Sequence, residues 1–191
     1  MKENLFVIFA PGLGGNHLSN LISLTPRFYR SCDLTRYRPG MKDAHFAQLG
    51  NLHPESIKKN YRDLCDKNNV LCGHIAEYLW LQNNQLDKLF ENRKFLAVDF
   101  PNKESKAHRR LTSLCSWYLN DYIFYEHSTL YSQKYLKLLF NEHDFFHISS
   151  EDIFNKSVQG IEKFIYEDLG TEWDHDEAQR LHTLWFDNIN G

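Results

Sequence analysis

Val7–Leu24, VIFAPGLGGNHLSNLISL, decides the fold. It starts within a continuous apolar run, Leu5–Ala10 (LFVIFA), rich in Val, Ile and Phe. A run of that kind, without polar alternation, predicts a strand buried on both faces. Pro11-Gly-Leu-Gly-Gly15 interrupts it, and Leu18, Leu21, Ile22 and Leu24 then fall close to one helical face. The glycines therefore stand between a buried strand and a helix N-terminus. Gly12, Gly14 and Gly15 open backbone conformations closed to other residues and let a ligand approach the main chain. Successive N–H groups in such a loop, beside the positive end of a helix dipole, hold phosphate or sulfate without a charged side chain. Pro11, Gly12, Leu13, Gly14 and Gly15 form the candidate anion loop, and Asn16 and His17 add side-chain donors. The plain alternative is a tight strand-to-helix turn that holds nothing.

Further strands follow in the same style. Asn69–Gly73 (NVLCG) ends at Gly73-His74, Lys94–Pro101 (KFLAVDFP) is stopped by proline, and Asp144–Ser149 (DFFHIS) is a fourth. Helical spacing separates them: IAEYLWLQNNQLDKLF after His74, and Ala107, Leu111, Leu114, Tyr118 and Tyr122 between Lys103 and about Glu126. Val158, Ile161, Ile165 and Leu169, then Ala178, Leu181, Trp185 and Ile189, mark two more. Thr25–Pro54 reads as loops with short helical turns, and Pro54 with ESIKKNYRDLCDK as a helix with proline in its first turn. Strands alternating with helices predict an α/β fold. Its centre is a parallel sheet of about four to five strands, flanked by helices in three layers, within a single domain over residues 1–191. Ligands in such sheets bind at the carboxyl ends of the strands. The glycine loop, Gly73-His74 and the stretch after Val98 all lie there.

Composition narrows the function. Twenty-two Lys and Arg against twenty-five Asp and Glu leave a net charge of −3, which argues against a broad nucleic-acid face. Cys32, Cys65, Cys72 and Cys115 form no C-x-x-C pair, so neither a zinc knuckle nor a redox motif is indicated, and no metal is expected. Unpatterned thiols, no secretory signal and no apolar run near the roughly 20 residues of a membrane helix point to a cytoplasmic protein. The loop matches neither G-x-x-x-x-G-K-[ST] nor G-x-G-x-x-G, which argues against an ordinary ATPase, a nucleotide kinase and a dinucleotide enzyme.

FVIFAPGLGGNHLSNLI resembles the opening of the sulfotransferases, a P-loop-like family whose first strand leads into Pro-Lys-Ser-Gly-Thr-Thr-Trp-Leu. Pro11, Gly14 and Leu18 match. Gly12 stands for the lysine, Leu13 for the serine, Gly15 and Asn16 for the threonines, and His17 for the tryptophan. NNVLCGHIAEY (Asn68–Tyr78) is similar to the family's strand ending in a histidine. FFHISSEDIFNKSVQGIEKFIYEDLG (Phe145–Gly170) is similar to its late strand, Glu-Asp-Leu turn and helix ending in Phe-Leu-Gly. The resemblance implies transfer of a sulfuryl group from PAPS to a hydroxyl or amine. The loop Pro11–Leu18 would hold the donor's 5′-phosphosulfate, and His74 would be the general base. Two family positions differ: the 3′-phosphate arginine falls on Asp99 and the serine on Ala107. Lys103, Ser105, Lys106, Arg109 and Arg110 lie close by and offer another phosphate contact, or else a solvated helix face. A second reading, from a different class, is a degenerate P-loop fold that binds a nucleotide, an anion or a partner protein without catalysis.

Overall fold

The computed structural model describes residues 3–30, 68–84, 88, 90, 92–140 and 145–190. The expected helix after Pro54, most of Thr25–Pro54, and Cys32 and Cys65 lie outside the described residues. In chain order the described elements are β1 (Asn4–Ile8), α1 (Gly15–Ile22), β2 (Tyr29–Arg30), β3 (Asn69–Gly73), α2 (Ile75–Asn83) and β4 (Arg93–Val98). Then come α3 (Lys106–Leu114), a 3-10 turn (Ser116–Leu119), α4 (Asp121–Leu130), α5 (Gln133–Phe140), β5 (Phe145–Ile148), α6 (Ser150–Ile153), α7 (Gln159–Glu167) and α8 (His175–Asn188).

The sheet order is β2-β3-β1-β4-β5, with every pairing parallel. Four strands are full length and β2 contributes two residues. β1 is central and buried at all five positions, which its unbroken apolar run requires. Phe6 is registered with Phe95, and Phe95 with Phe145, so their rings share one face. There Phe6 and Phe95 meet Tyr78 of α2, and Phe95 stacks on Phe140 of α5 at 4.5 Å. Phe146 points to the other face, where it meets Phe164 of α7. α1 lies along β3 and β1, with α8 packed outside it. The result is a three-layer α/β architecture consistent with a P-loop-like fold. No helix among the described residues is long and apolar enough to cross a membrane.

Several boundaries differ from the sequence expectation. β1 ends at Ile8, because Phe9 and Ala10 stay buried but already lead into the turn. The helical phase running through Leu111, Leu114, Tyr118 and Tyr122 is broken at Cys115, whose backbone (φ −134°, ψ 81°) leaves the helix. A new helix then starts at the Asn120 cap. α2 stops at Asn83, with Asn84 as its cap. β2 and α5 have no counterpart in the sequence reading.

Glu3 ties the start of the sheet together. Its carboxylate accepts from Arg27 Nε at 2.9 Å and pairs with Arg27 Nη2 at 2.7 Å and Lys94 Nζ at 2.5 Å. Arg27 also donates to the Leu169 carbonyl at the end of α7. Burial alone would raise the Glu3 carboxyl, but the bonds from Lys94 and Arg27 outweigh it and hold the group below its ordinary range. A folded value below the unfolded one adds stability above the unfolded value of roughly 4.3. That stability is lost as pH falls through the folded value. Glu3→Gln should therefore cost on the order of 1 kcal/mol at pH 7 and flatten the acid limb of a urea-midpoint profile. A variant whose midpoint falls in parallel with the parent below pH 5 would remove this role.

Candidate functional site

The glycine loop leaves the carboxyl end of β1. Gly12 (φ 86°) and Gly14 (φ 71°) adopt the left-handed conformation that favours glycine. Leu13 N donates to the Ala10 carbonyl at 3.1 Å, which closes the turn, and the Leu13 side chain is buried. Gly14 is the N-cap of α1 and brings no side-chain oxygen to its first N–H groups. That leaves a helix end of the kind that accepts an anion. Gly15 has no room for a side chain, since a Cβ there would lie 2.0 Å from Cδ1 of Phe9. Pro11, Gly12, Leu13, Gly14 and Gly15 thus form one tight strand-to-helix turn.

The two polar residues that follow are committed to the fold. Asn16 Oδ1 accepts from Cys72 Sγ of β3 at 2.9 Å. His17 is buried, stacked on Trp185 of α8 at 4.1 Å and 4° between planes. Its Nε2 lies 2.9 Å from His182 Nδ1, and His182 Nε2 lies 2.7 Å from the Asn155 carbonyl. A carbonyl only accepts, so His182 Nε2 carries the proton, its Nδ1 accepts, and His17 Nε2 donates. Burial keeps His182 below the ordinary histidine range, against the pull of the Asn155 carbonyl. The His17 ring therefore serves the packing of α1 on α8.

His74 stands at the carboxyl end of β3, as the N-cap of α2. Its backbone N–H donates to Glu77 Oε2 at 2.7 Å. Its ring meets Phe9 edge-on at 4.8 Å, and Nδ1 lies 2.7 Å from the Phe9 carbonyl. Nδ1 is therefore the protonated nitrogen of the neutral ring, and Nε2 carries the lone pair. Tyr131 OH accepts a long bond, 3.5 Å, from Ile75 N beside it. Burial pushes the Tyr131 phenol far above its ordinary range.

The basic cluster lies on α3 and the approach to it. α3 reaches the loop at its other end: a Cβ on Gly12 would come within 2.9 Å of Leu111 Cδ1 and of Cys115 Sγ. Lys106 is five residues before Leu111, roughly 7–8 Å along the axis. Lys106, Arg109 and Arg110 are spaced i, i+3, i+4 on one face, and Lys106 and Arg109 are exposed. Lys103 pairs with Asp121 and lies 5.1 Å from the Phe124 ring centroid. Ser105 Oγ accepts from His108 N at 2.9 Å as the N-cap of α3, and Glu151 Oε1 accepts from Ala107 N at 3.1 Å. A carboxylate already sits at this helix end. Ser105→Ala should cost about 1 kcal/mol and lower the melting temperature by roughly 2–4 °C. An unchanged melt would show that the cap contributes nothing.

Beyond the glycine loop, a cleft of about 610 Å³ opens at the carboxyl ends of β4 and β5, walled also by the start of α3, by α4 and by the start of α5. Asp99 and Glu151 line it. His147 Nδ1 meets Asp99 Oδ1 at 3.0 Å, and Gln133 Nε2 lies 3.3 and 3.4 Å from the two Asp99 oxygens. His147 Nε2 is buried and has no partner among the described residues. Ser149 Oγ accepts from Glu151 N at 3.1 Å and caps α6. Sequence reasoning marked the stretch after Val98 by position but missed the cleft, whose other walls come from helices far along the chain. Among the described residues no three His, Cys, Asp or Glu side chains converge as a metal set. No protein-family model matches the chain, and no curated protein matches it.

Proposed function

We propose that the chain is a small sulfotransferase-like enzyme that moves a sulfuryl group from PAPS to a hydroxyl or amine. One observation carries this reading: the His74 ring donates to the Phe9 carbonyl, two residues before Pro11. The candidate base and the candidate anion loop are thereby held in one rigid unit, with the Nε2 lone pair set by hydrogen bonding. In the reaction the acceptor oxygen or nitrogen bonds to sulfur, and the bond from sulfur to the donor phosphate breaks. PAP leaves with the electron pair, and His74 Nε2 takes the acceptor proton. The first-turn N–H groups of α1 meet the negative charge on the sulfuryl and phosphate oxygens. Gly12 supplies no cation there. Lys106, Arg109 and Arg110 are the basic side chains for the 3′-phosphate, since Ser105 is taken up as a cap and Lys103 by Asp121.

A second reading, a fold that binds a nucleotide, an anion or a partner protein without transfer, is favoured by the replaced lysine, arginine and serine of the resemblance, where Gly12, Asp99 and Ala107 stand. Glu151 occupies the α3 N-terminus, and Asp99 stands where the family's arginine would be. Calorimetry with PAP, ADP and ATP, followed by an assay of PAPS consumption over an acceptor panel, separates the two. Preference for PAP over ADP together with PAPS turnover supports transfer. Nucleotide binding without turnover supports the second reading, and no binding of any nucleotide removes transfer and leaves an anion or a partner protein as the ligand of the second reading.

A further inference from the structure

The cleft at the ends of β4 and β5 has a chemistry of its own, distinct from that of an anion site. Its volume, about 610 Å³, falls in the range of small-molecule pockets. Two carboxylates line it, yet each already has donors. Asp99 takes His147 and Gln133, and Glu151 takes the first turn of α3. Lys103, the one Lys or Arg among its described lining residues, is drawn to Asp121. The cleft is therefore rich in acceptors, and its carboxylates are held in place by neutral protein donors. An anion would meet carboxylate oxygens. A ligand with several O–H donors would find lone pairs already oriented toward the cleft.

The hydroxyls point the same way. Ser128 Oγ donates to the Tyr125 carbonyl at 2.8 Å, and Ser132 Oγ donates to the Thr129 carbonyl at 2.8 Å. With their protons engaged, Ser128 Oγ offers its lone pairs to a ligand, and Ser132 Oγ, which also accepts from Tyr135 N at 3.3 Å, offers the one that remains. Phe100 and Phe124 supply an apolar wall, edge to face at 5.1 Å. Acceptors on one side and aromatic surface on the other suit a molecule with many O–H donors and a C–H face.

We propose that this cleft binds a neutral polyhydroxyl ligand of monosaccharide size, its vicinal hydroxyls donating to Asp99 and Glu151 and its C–H face against Phe100 and Phe124. The site does not depend on whether the glycine loop carries a transferable group. It is tested on the full chain by saturation-transfer NMR with glucose, galactose, mannose, xylose and myo-inositol. Choline and inorganic phosphate serve as probes of the opposite chemistries. At least one polyol should give a saturable signal. Asp99→Asn and Glu151→Gln should each weaken it at least tenfold, because a charged acceptor becomes a neutral one. Ser128→Leu, a good helix former that fills the cleft from α4, should abolish the signal while the melting curve stays cooperative. Polyol binding indifferent to all three substitutions would overturn the site. So would saturable binding of choline or phosphate, sensitive to these substitutions, in place of polyols, or the absence of any saturable polyol signal.

Discussion

Gly15→Ala is expected to destabilise the protein by about 2–3 kcal/mol, although alanine is the better helix former. On propensity alone the substitution would gain up to about 1 kcal/mol at a helix position. Packing opposes it and wins. The new Cβ would lie 2.0, 2.2 and 2.5 Å from three atoms of the Phe9 ring. That ring cannot swing aside cheaply, because it is buried and braced edge-on against His74. Relief requires α1 to lift from β1 or Phe9 to leave its seat. Urea midpoints of parent and variant measure the difference. A variant as stable as the parent, or more so, would mean that Gly15 is an ordinary helix glycine. The same displacement should reach His74 through Phe9, so any activity should fall along with stability.

His74 carries the second large effect, and two substitutions divide its roles. His74→Ala removes the ring, its bond to the Phe9 carbonyl and the candidate base together. His74→Asn keeps a side-chain amide able to donate toward Phe9 and remains a good N-cap for α2. If Nε2 takes the acceptor proton, both variants should lose turnover by roughly 10²–10⁴-fold. Only the alanine variant should also lose about 1 kcal/mol of stability from the missing hydrogen bond. PAP affinity should change little in the asparagine variant, since the loop backbone is untouched. Full turnover in His74→Asn would leave His74 a structural cap and withdraw the general-base role.

The parts of this fold that could be read from the sequence are those set by local chemistry. Leu5–Ala10 announces a strand buried on both faces because no residue in it would tolerate water. Gly12 and Gly14 announce a left-handed turn because few other residues adopt it, and both have positive φ. β2 is two residues long, too short to show a pattern. The stretch from Lys103 to Glu126 misleads because its apolar residues keep helical phase across Cys115, where the backbone alone makes the break. The site is less legible than the fold. His17 reads as a donor beside a glycine loop, but its partner is 165 residues away, and only the packed structure turns the ring toward α8. Asp99 reads as a missing arginine. Its orientation by His147 and Gln133 needs β5 and α5 in place first.

The stack of His17 on Trp185 also bears on the order in which this part of the protein can form. The helix that the glycine turn feeds, α1, is covered by His182 and Trp185 of α8, and His182 lies 165 residues further along the chain. Synthesis runs from β1 toward α8, so a nascent chain can pair β1, β3 and β4 before α8 is released. The turn at residues 11–15 meets Phe9, Leu111 and Cys115 in that interval, but α1 gains its outer cover only when α8 follows.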